Sequence, residues 1–386
     1  MAAALAVALL GPAATARAVV VGLADQTPAA YADARVHALG LRYARLVVPW
    51  DAATSEPATV AAWLAAVRAA GMTPHVALEH LASDRCPNRP CTTPTAAQYG
   101  AAIRRFVALF PQVRTYTTWN EANHVSQPVA DDPEAVAGYY GQLRAACPSC
   151  TIVAGDVLDS GSDRRWLQRF LQASATTPRL WGLHDYGDVT YGRTTGVDTV
   201  LATAPGTLWI EETGGLVSLR NSAGRQTLAI DESDAAAAID RAFAIAAARP
   251  RVARMYVYEW QAKATDRFDA GLVRPDGTTR PSYTALKRDL AAQAALRWRA
   301  AWSSRRAGRL LLRVTCRAAS GTCRGRVTVA IAGRRVATRA YRTSATHRTA
   351  RLRVVVARSL RHTSRVALRV RPTLPAFATQ TLTLGL

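Results

Sequence analysis

Two stretches of this chain carry residues able to do bond-breaking chemistry. Trp119-Asn120-Glu121-Ala122-Asn123-His124 is one, and Trp209-Ile210-Glu211-Glu212-Thr213-Gly214 is the other. A pair of carboxyl groups can cleave a glycosidic C–O bond. One protonates the leaving oxygen, and the other stabilises or attacks the anomeric carbon. Glu121 and Glu212 stand roughly three strand–helix units of about 30 residues apart. That spacing carries them to opposite sides of a barrel mouth, where facing side chains can approach. A separation of about 5–5.5 Å would mean retention through a covalent intermediate, and about 6.5–9.5 Å would mean inversion.

The elements needed to position them are legible. From Val19 to about Ala292, β-branched runs begin near Val19, Tyr43, Thr73, Val113, Thr151, Leu180, Thr207 and Ala253. Amphipathic Ala-rich runs lie between them, such as Thr59–Ala70, Ala96–Phe110, Pro133–Ala146 and Asp234–Ala248. Alternating strands and helices imply parallel βαβ units, and eight of them fit a closed (β/α)8 TIM barrel. A doubly wound sheet would want a Gly-rich phosphate turn after the first strand. Leu23-Ala24-Asp25-Gln26-Thr27-Pro28 stands there instead. A barrel places its active site at the C-terminal strand ends. Those ends carry Arg45 and Trp50, Glu79-His80, Asn120-Glu121, Asp156, His184-Asp185-Tyr186, Glu211-Glu212 and Tyr258-Glu259-Trp260. Carboxylates, amides and aromatic rings on one rim suit a sugar. Glu79, Asp156 and Glu259 are read equally as substrate ligands and as structural hydrogen-bonding groups. Asn123 and His124 are read equally as loop-ordering residues and as ligand-binding ones. No strand end carries a lysine for Schiff-base chemistry, and scattered His residues give no metal spacing.

In these motifs the chain resembles the clan A retaining glycoside hydrolases, with families 5 and 39 the nearest in pattern. The resemblance spans roughly residues 19–290. It rests on Trp119-Asn120-Glu121, Glu212-x-Gly214, Arg45, His184-x-Tyr186, Trp260 and the Gly271–Tyr283 segment taken in order. It implies Glu121 as general acid/base and Glu212 as nucleophile. It implies Arg45, Trp50, Asn120, His184, Tyr186 and Trp260 as substrate-site residues, with no cofactor and no metal. Two departures stand out: Ala122 replaces a frequent Pro, and Glu211 replaces a neutral residue. Alternation along a strand predicts that one of Glu211 and Glu212 points away from the mouth. The implied mechanism wants Glu121 protonated at rest, with its pKa raised by a nearby anionic Glu212. A barrel that binds carbohydrate or cell wall without turnover is the alternative.

The rest of the chain is different. The net charge of +22 is concentrated at one end. Residues 295–386 hold 21 Arg and no Lys, Asp or Glu. There, runs such as Leu310–Val314, Val327–Ala332, Ala350–Val356 and Val366–Val370 alternate apolar with Arg or Thr. Period-two alternation predicts a small all-β, sandwich-like domain. So basic a surface should attract an anionic cell-wall or matrix polymer. Aromatics for base stacking are sparse, which speaks against a specific nucleic-acid role. Residues 1–18 are Ala/Leu/Val-rich and end Ala-Arg-Ala, reading as a secretory signal. Cysteines in three local pairs, Cys86/Cys91, Cys147/Cys150 and Cys316/Cys323, suggest disulfides and an extracellular or wall-associated protein. Mean hydropathy near zero argues against a transmembrane protein.

Overall fold

A computed structural model of the chain describes residues 19–161, 163–221, 223–316, 323–344, 346–374 and 380–386. The expected signal segment, 1–18, and the expected turn Ser320-Gly321-Thr322 lie outside the described residues. The chain forms two compact units. One comprises Val19–Ile245 and Arg251–Lys287, and the other contains Ala246–Pro250 and Arg288–Leu386.

The first unit is the expected barrel. Its strands are β1 (Val20–Ala24), β2 (Tyr43–Pro49), β3 (Thr73–Glu79), β4 (Thr115–Thr117), β5, β6 (Leu180–His184), β7 (Thr207–Thr213) and β8 (Val252–Tyr258). Strand β5 comes in two short pieces, Thr151–Val153 and Asp156–Leu158. The first piece pairs with β4 and the second with β6. Between them, Ala154 donates to the Leu180 carbonyl (3.0 Å) and Gly182 to the Gly155 carbonyl (2.7 Å). These bonds carry the ladder across the break, so the parallel sheet closes on itself. Strands covered on both faces read as near-continuous apolar runs, and β7 accordingly buries every residue after Thr207.

The outer helices obey their own signals. Ala96–Leu109 starts at a Thr95 cap, whose side chain accepts from the Gln98 amide while Gln98 reaches back to Thr95. This capping box satisfies two otherwise orphaned donors. The same helix buries Tyr99, Ile103 and Phe106 at helical spacing. Tyr99 stacks on Tyr139 of Pro133–Ala146 (ring centroids 4.4 Å apart), and both rings stack near Trp119. That aromatic layer supports the strand end bearing Glu121. Three further short strands follow β7 and β8 in the chain. Ser218–Arg220, Gln226–Ala229 and Phe268–Asp269 form a small antiparallel sheet that the sequence patterns did not announce. Arg280 ties the loops together by pairing with Asp269 (2.5 Å) and Glu232 (3.1 Å).

Among its described residues the second unit holds seven antiparallel strands: β9 (Leu296–Ser304), β10 (Arg309–Cys316), β11 (Arg324–Ile331), β12 (Arg334–Arg342), β13 (Thr349–Val355), β14 (Arg365–Leu374) and β15 (Gln380–Gly385). They form two sheets, ordered β9-β10-β13 and β12-β11-β14-β15. Leu310, Leu312 and Val314 of one sheet share a core with Val327, Val329 and Ile331 of the other. The Cys316–Cys323 disulfide links β10 to the start of β11, and Cys86–Cys91 and Cys147–Cys150 are also bonded. Among the described residues no helix is long and apolar enough to cross a membrane.

Gly22 shows how tightly the barrel is filled. A Cβ there would lie 2.6 Å from the Tyr256 ring and 2.7 Å from the Tyr43 carbonyl oxygen. Gly22→Ala should therefore cost about 1–3 kcal/mol through overpacking. The check is a lower urea midpoint for the barrel transition with the fold otherwise retained.

Candidate active site

The site is built around Arg45. Its side chain, from the middle of β2, is fully buried. The guanidinium donates to Glu211 through Nε (3.2 Å), to Glu212 through Nη1 (2.7 Å), and to Asn120 and Asp156 through Nη2 (2.8 Å each). A planar fork with several donors can bridge several oxygens at once, which an ammonium cannot. The surrounding carboxylates hold Arg45 charged despite its burial.

Glu211 and Glu212 both reach this cation, against the alternation expected of a regular strand. The pairing explains it. Leu183 sits opposite Ile210, whereas the next residue, His184, sits opposite Glu212. On the other side Met255 faces Ile210 and Val257 faces Thr213. One extra residue has been accommodated in β7, a bulge that re-aims side chains at a barrel rim. Glu211 is the deeper of the two and is fully enclosed. It accepts from Thr117 Oγ1, whose own partner is His75 Nε2 (2.8 Å), and His75 Nδ1 meets the Tyr256 hydroxyl (3.1 Å). Because Thr117 donates to Glu211, it must accept from His75, which fixes the imidazole as the neutral Nε2–H tautomer. Burial and the nearby Arg45 and Arg254 hold His75 well below the ordinary histidine pKa. Burial, helped by Asp156, pushes Glu211 up to about 7 against the pull of Arg45. Room for it comes from Gly182, where a Cβ would approach Glu211 Cγ to 2.9 Å and Asp156 Oδ1 to 3.0 Å.

Glu212 lies nearer the mouth, with 7% of its surface exposed. One oxygen takes Arg45, and the other accepts from the Tyr186 hydroxyl (3.1 Å). Phe268 of the small rim sheet packs edge-on against Tyr186 (4.8 Å). Glu121 comes from beyond β4. There Asn120 donates to the Leu78 carbonyl of β3 (2.7 Å) and Ala122 to the Asp156 carbonyl of β5 (2.8 Å). Held on both sides, Glu121 takes φ +45°, a left-handed conformation uncommon outside glycine. Such outliers concentrate where a structure over-determines a functional residue.

His184 joins the halves. Its Nδ1 is 3.0 Å from Glu121 Oε1 and 3.6 Å from Glu212 Oε2, and its Nε2 is 2.7 Å from Asp156 Oδ2. With a carboxylate on each nitrogen, both carry protons. Burial opposes the charge, but Asp156, Glu212 and Glu121 raise His184 well above the ordinary histidine range. This reverses the expectation for Glu121. Burial raises its pKa, but the hydrogen bond and charge of His184, with His124 and Arg45, outweigh that and hold it below the usual value. These shifts favour His184 over Glu121 as the holder of the shared proton.

The structure thus brings together Glu121, Glu212, Arg45, Asn120, His184 and Tyr186. Trp50 is half-buried at the end of β2, its amide on the Glu79 carbonyl (2.9 Å). Trp260, expected to line the sugar site, is enclosed, as Arg45 and His184 are. It is 2% exposed, its indole donates to Asp33 (3.2 Å), and Arg35 lies over its ring (5.2 Å). Tyr258, two residues earlier, feels the charge of Glu212, as Tyr186 does, and meets Phe268 (5.9 Å). Asp156, read from the sequence as ambiguous, is the common partner of Arg45 and His184. Asn123 clamps the backbone of Leu158 through both ends of its amide (2.7 and 2.9 Å), an ordering role. Glu79 is raised to about 7 by burial and by the charges of Glu121 and Glu212, so it belongs to the same electrostatic unit. Thr117 and His75 were missed, since nothing but inward alternation marks them. Among the described residues no group of three or more His, Cys, Asp or Glu is arranged to hold a metal ion.

Removing the central cation tests this arrangement. Arg45→Met should cost about 3–5 kcal/mol in urea unfolding at neutral pH, because buried carboxylates are left uncompensated. The loss should shrink as pH falls and those carboxyls take protons. Arg45→Lys should recover only part of it.

No protein-family model and no curated protein sequence matches the chain. Solved structures do. A family 39 glycoside hydrolase from Bacteroides cellulosilyticus WH2 superposes with TM-score 0.52 at 13% identity, over 87% of this chain and 81% of that one. A GH5_18 structure from Streptomyces cattleya in complex with GlcNAc gives 0.53 at 17% identity, over 71% and 80%. Xylanase 10B from Thermotoga maritima gives 0.51 at 12%, over 72% and 96%. The fold of this chain is the one shared by these clan A glycoside hydrolases.

Proposed function

We propose that the chain is an extracellular or wall-associated retaining glycoside hydrolase acting on the β-linked sugars of a poly- or oligosaccharide. The observation that carries this is the shared imidazole. His184 Nδ1 touches both Glu121 and Glu212, so the sum of those two contacts is a ceiling on the distance between the oxygens. That ceiling favours the spacing of about 5–5.5 Å used for covalent catalysis over the wider gap that admits a water. The glycosidase fold and the two glutamates on β4 and β7 support the same reading. The three disulfides support an oxidising compartment.

In this mechanism Glu212, oriented by Arg45 and Tyr186, attacks the anomeric carbon. Glu121 gives the leaving oxygen the proton it shares with His184. Glu121 then takes a proton from water, and the hydroxide releases the sugar from Glu212. Asn120, held by Arg45, is placed to bind the hydroxyl beside the anomeric carbon.

Hydrolysis of aryl β-glycosides and polysaccharides is the first test. Glu212→Gln should abolish turnover on every substrate. Glu121→Gln should lose about 10²–10⁴-fold on poor leaving groups and much less on acidic phenols, which leave without a proton. Proton NMR should show the β-anomer formed first. Sugar binding that persists without turnover in the parent chain would favour a non-catalytic carbohydrate-binding barrel.

The pH profile tests the shared proton. The pair titrates as a unit, and its proton is held by a histidine raised above its ordinary pKa. Activity should therefore persist above about pH 6.5 and fall only as the pair deprotonates. In His184→Asn the proton depends on a carboxyl alone, so the alkaline limb of kcat/KM should move to lower pH.

A further inference from the structure

The charge of residues 295–386 has an ordered place in the second unit. In the sheet β9-β10-β13, Arg299 is paired with Arg313, and Arg313 with Arg351. All three side chains are exposed, while the alternate residues Trp298, Leu312 and Val314 go to the core. Strands in a sheet run about 4.8 Å apart. The three arginines therefore form a row crossing the sheet at that interval. Arg353 stands beside the row on β13.

Such a row is costly, since like charges directly opposed across a ladder destabilise it. No acidic residue in 295–386 offsets it. Edge protection does not explain it either. Charged residues guard exposed strand edges, but Arg313 lies on the central strand of its sheet. A row that weakens the sheet, and whose central member guards no edge, is accounted for by a ligand that neutralises it.

The chemistry of the face selects that ligand. Guanidinium groups fork onto carboxylates through two parallel hydrogen bonds. Among the described residues, the aromatic rings of this unit are turned from this surface. Trp298 and Tyr341 are buried edge-to-face against each other (5.2 Å), and Trp302 is half-buried beside Arg305 (5.5 Å). Bases and neutral sugar faces bind by stacking on exposed aromatics, so neither is served here. We infer that Arg299, Arg313 and Arg351 form a binding site for a carboxylate-bearing polysaccharide, a polyuronate chain running across the strands. The choice of a glycan among polyanions rests on the glycosidase reading of the barrel.

The test is binding of the full chain to polygalacturonate by titration calorimetry at about 0.15 M salt, where diffuse attraction is largely screened. Glu121→Gln serves as the parent background, so the polymer stays intact. R299Q/R313Q/R351Q removes the row. R334Q/R335Q/R358Q removes the same charge from exposed positions off the row. Losing the row should weaken binding at least about tenfold, which is about 1.4 kcal/mol. The control set should change it less than about twofold, on the same scale, and fully methyl-esterified polymer should not bind. The row variant should unfold at no lower urea concentration than its parent, because repulsion has been relieved. Equal losses in the two triple variants would overturn the site in favour of diffuse charge. Tighter binding to single-stranded DNA than to polygalacturonate would overturn the ligand class. No binding by the parent would overturn both. The readout needs no turnover, so an inactive barrel leaves this test standing, and absent binding leaves the hydrolase reading untouched.

Discussion

A single buried guanidinium organises the barrel mouth. Arg45 has no route to solvent, so its charge must be answered from within. Asp156, Glu211 and Glu212 come from two different strands to answer it. Each carboxylate brought in for Arg45 would repel the others if the cation were absent. Positions on β2, β5 and β7 are therefore coupled through one side chain, along with Asn120 after β4. Acids still outnumber cations there, since Glu121 and Glu79 add to the three on Arg45, with only His184 as a second positive group. Burial and neighbouring acids push Glu211 and Glu79 up to about 7. Glu212 has Arg45 on one oxygen and Tyr186 on the other.

Much of this was legible before any coordinates. β-Branched runs alternating with helical ones placed all eight barrel strands to within two residues of their starts, because strands buried on both faces have little freedom in composition. The pairing of Glu121 with Glu212 followed from their location at strand ends. The antiparallel character of the Arg-rich end followed from clean alternation, which a sheet with one wet face enforces.

What was not legible depended on irregularity or on third parties. Simple alternation sends Glu211 and Glu212 to opposite faces, and only the bulge in β7 brings both to Arg45. Nothing in a stretch such as Ile210-Glu211-Glu212-Thr213 announces a bulge. The expectation that Glu212 would keep Glu121 protonated considered two acids alone. His184, placed between them and pinned by Asp156, reverses the sign. Trp260 was expected in the sugar site on pattern alone, and the pattern gave no sign that Asp33, Arg35 and Tyr283 would engage its ring.

Gly182 gives the arrangement a further meaning. The volume occupied by Glu211 is cut out of β6, not out of the strand that bears the acid. Positions 182 and 211 thus behave as one character rather than two. A lineage acquiring an acid next to its nucleophile must first possess, or simultaneously gain, a hole across the ladder. Once filled, that hole locks the neighbouring strand into glycine. The second acid is in this sense irreversible by single steps on β6, and the history of the site is written in a residue that has no side chain.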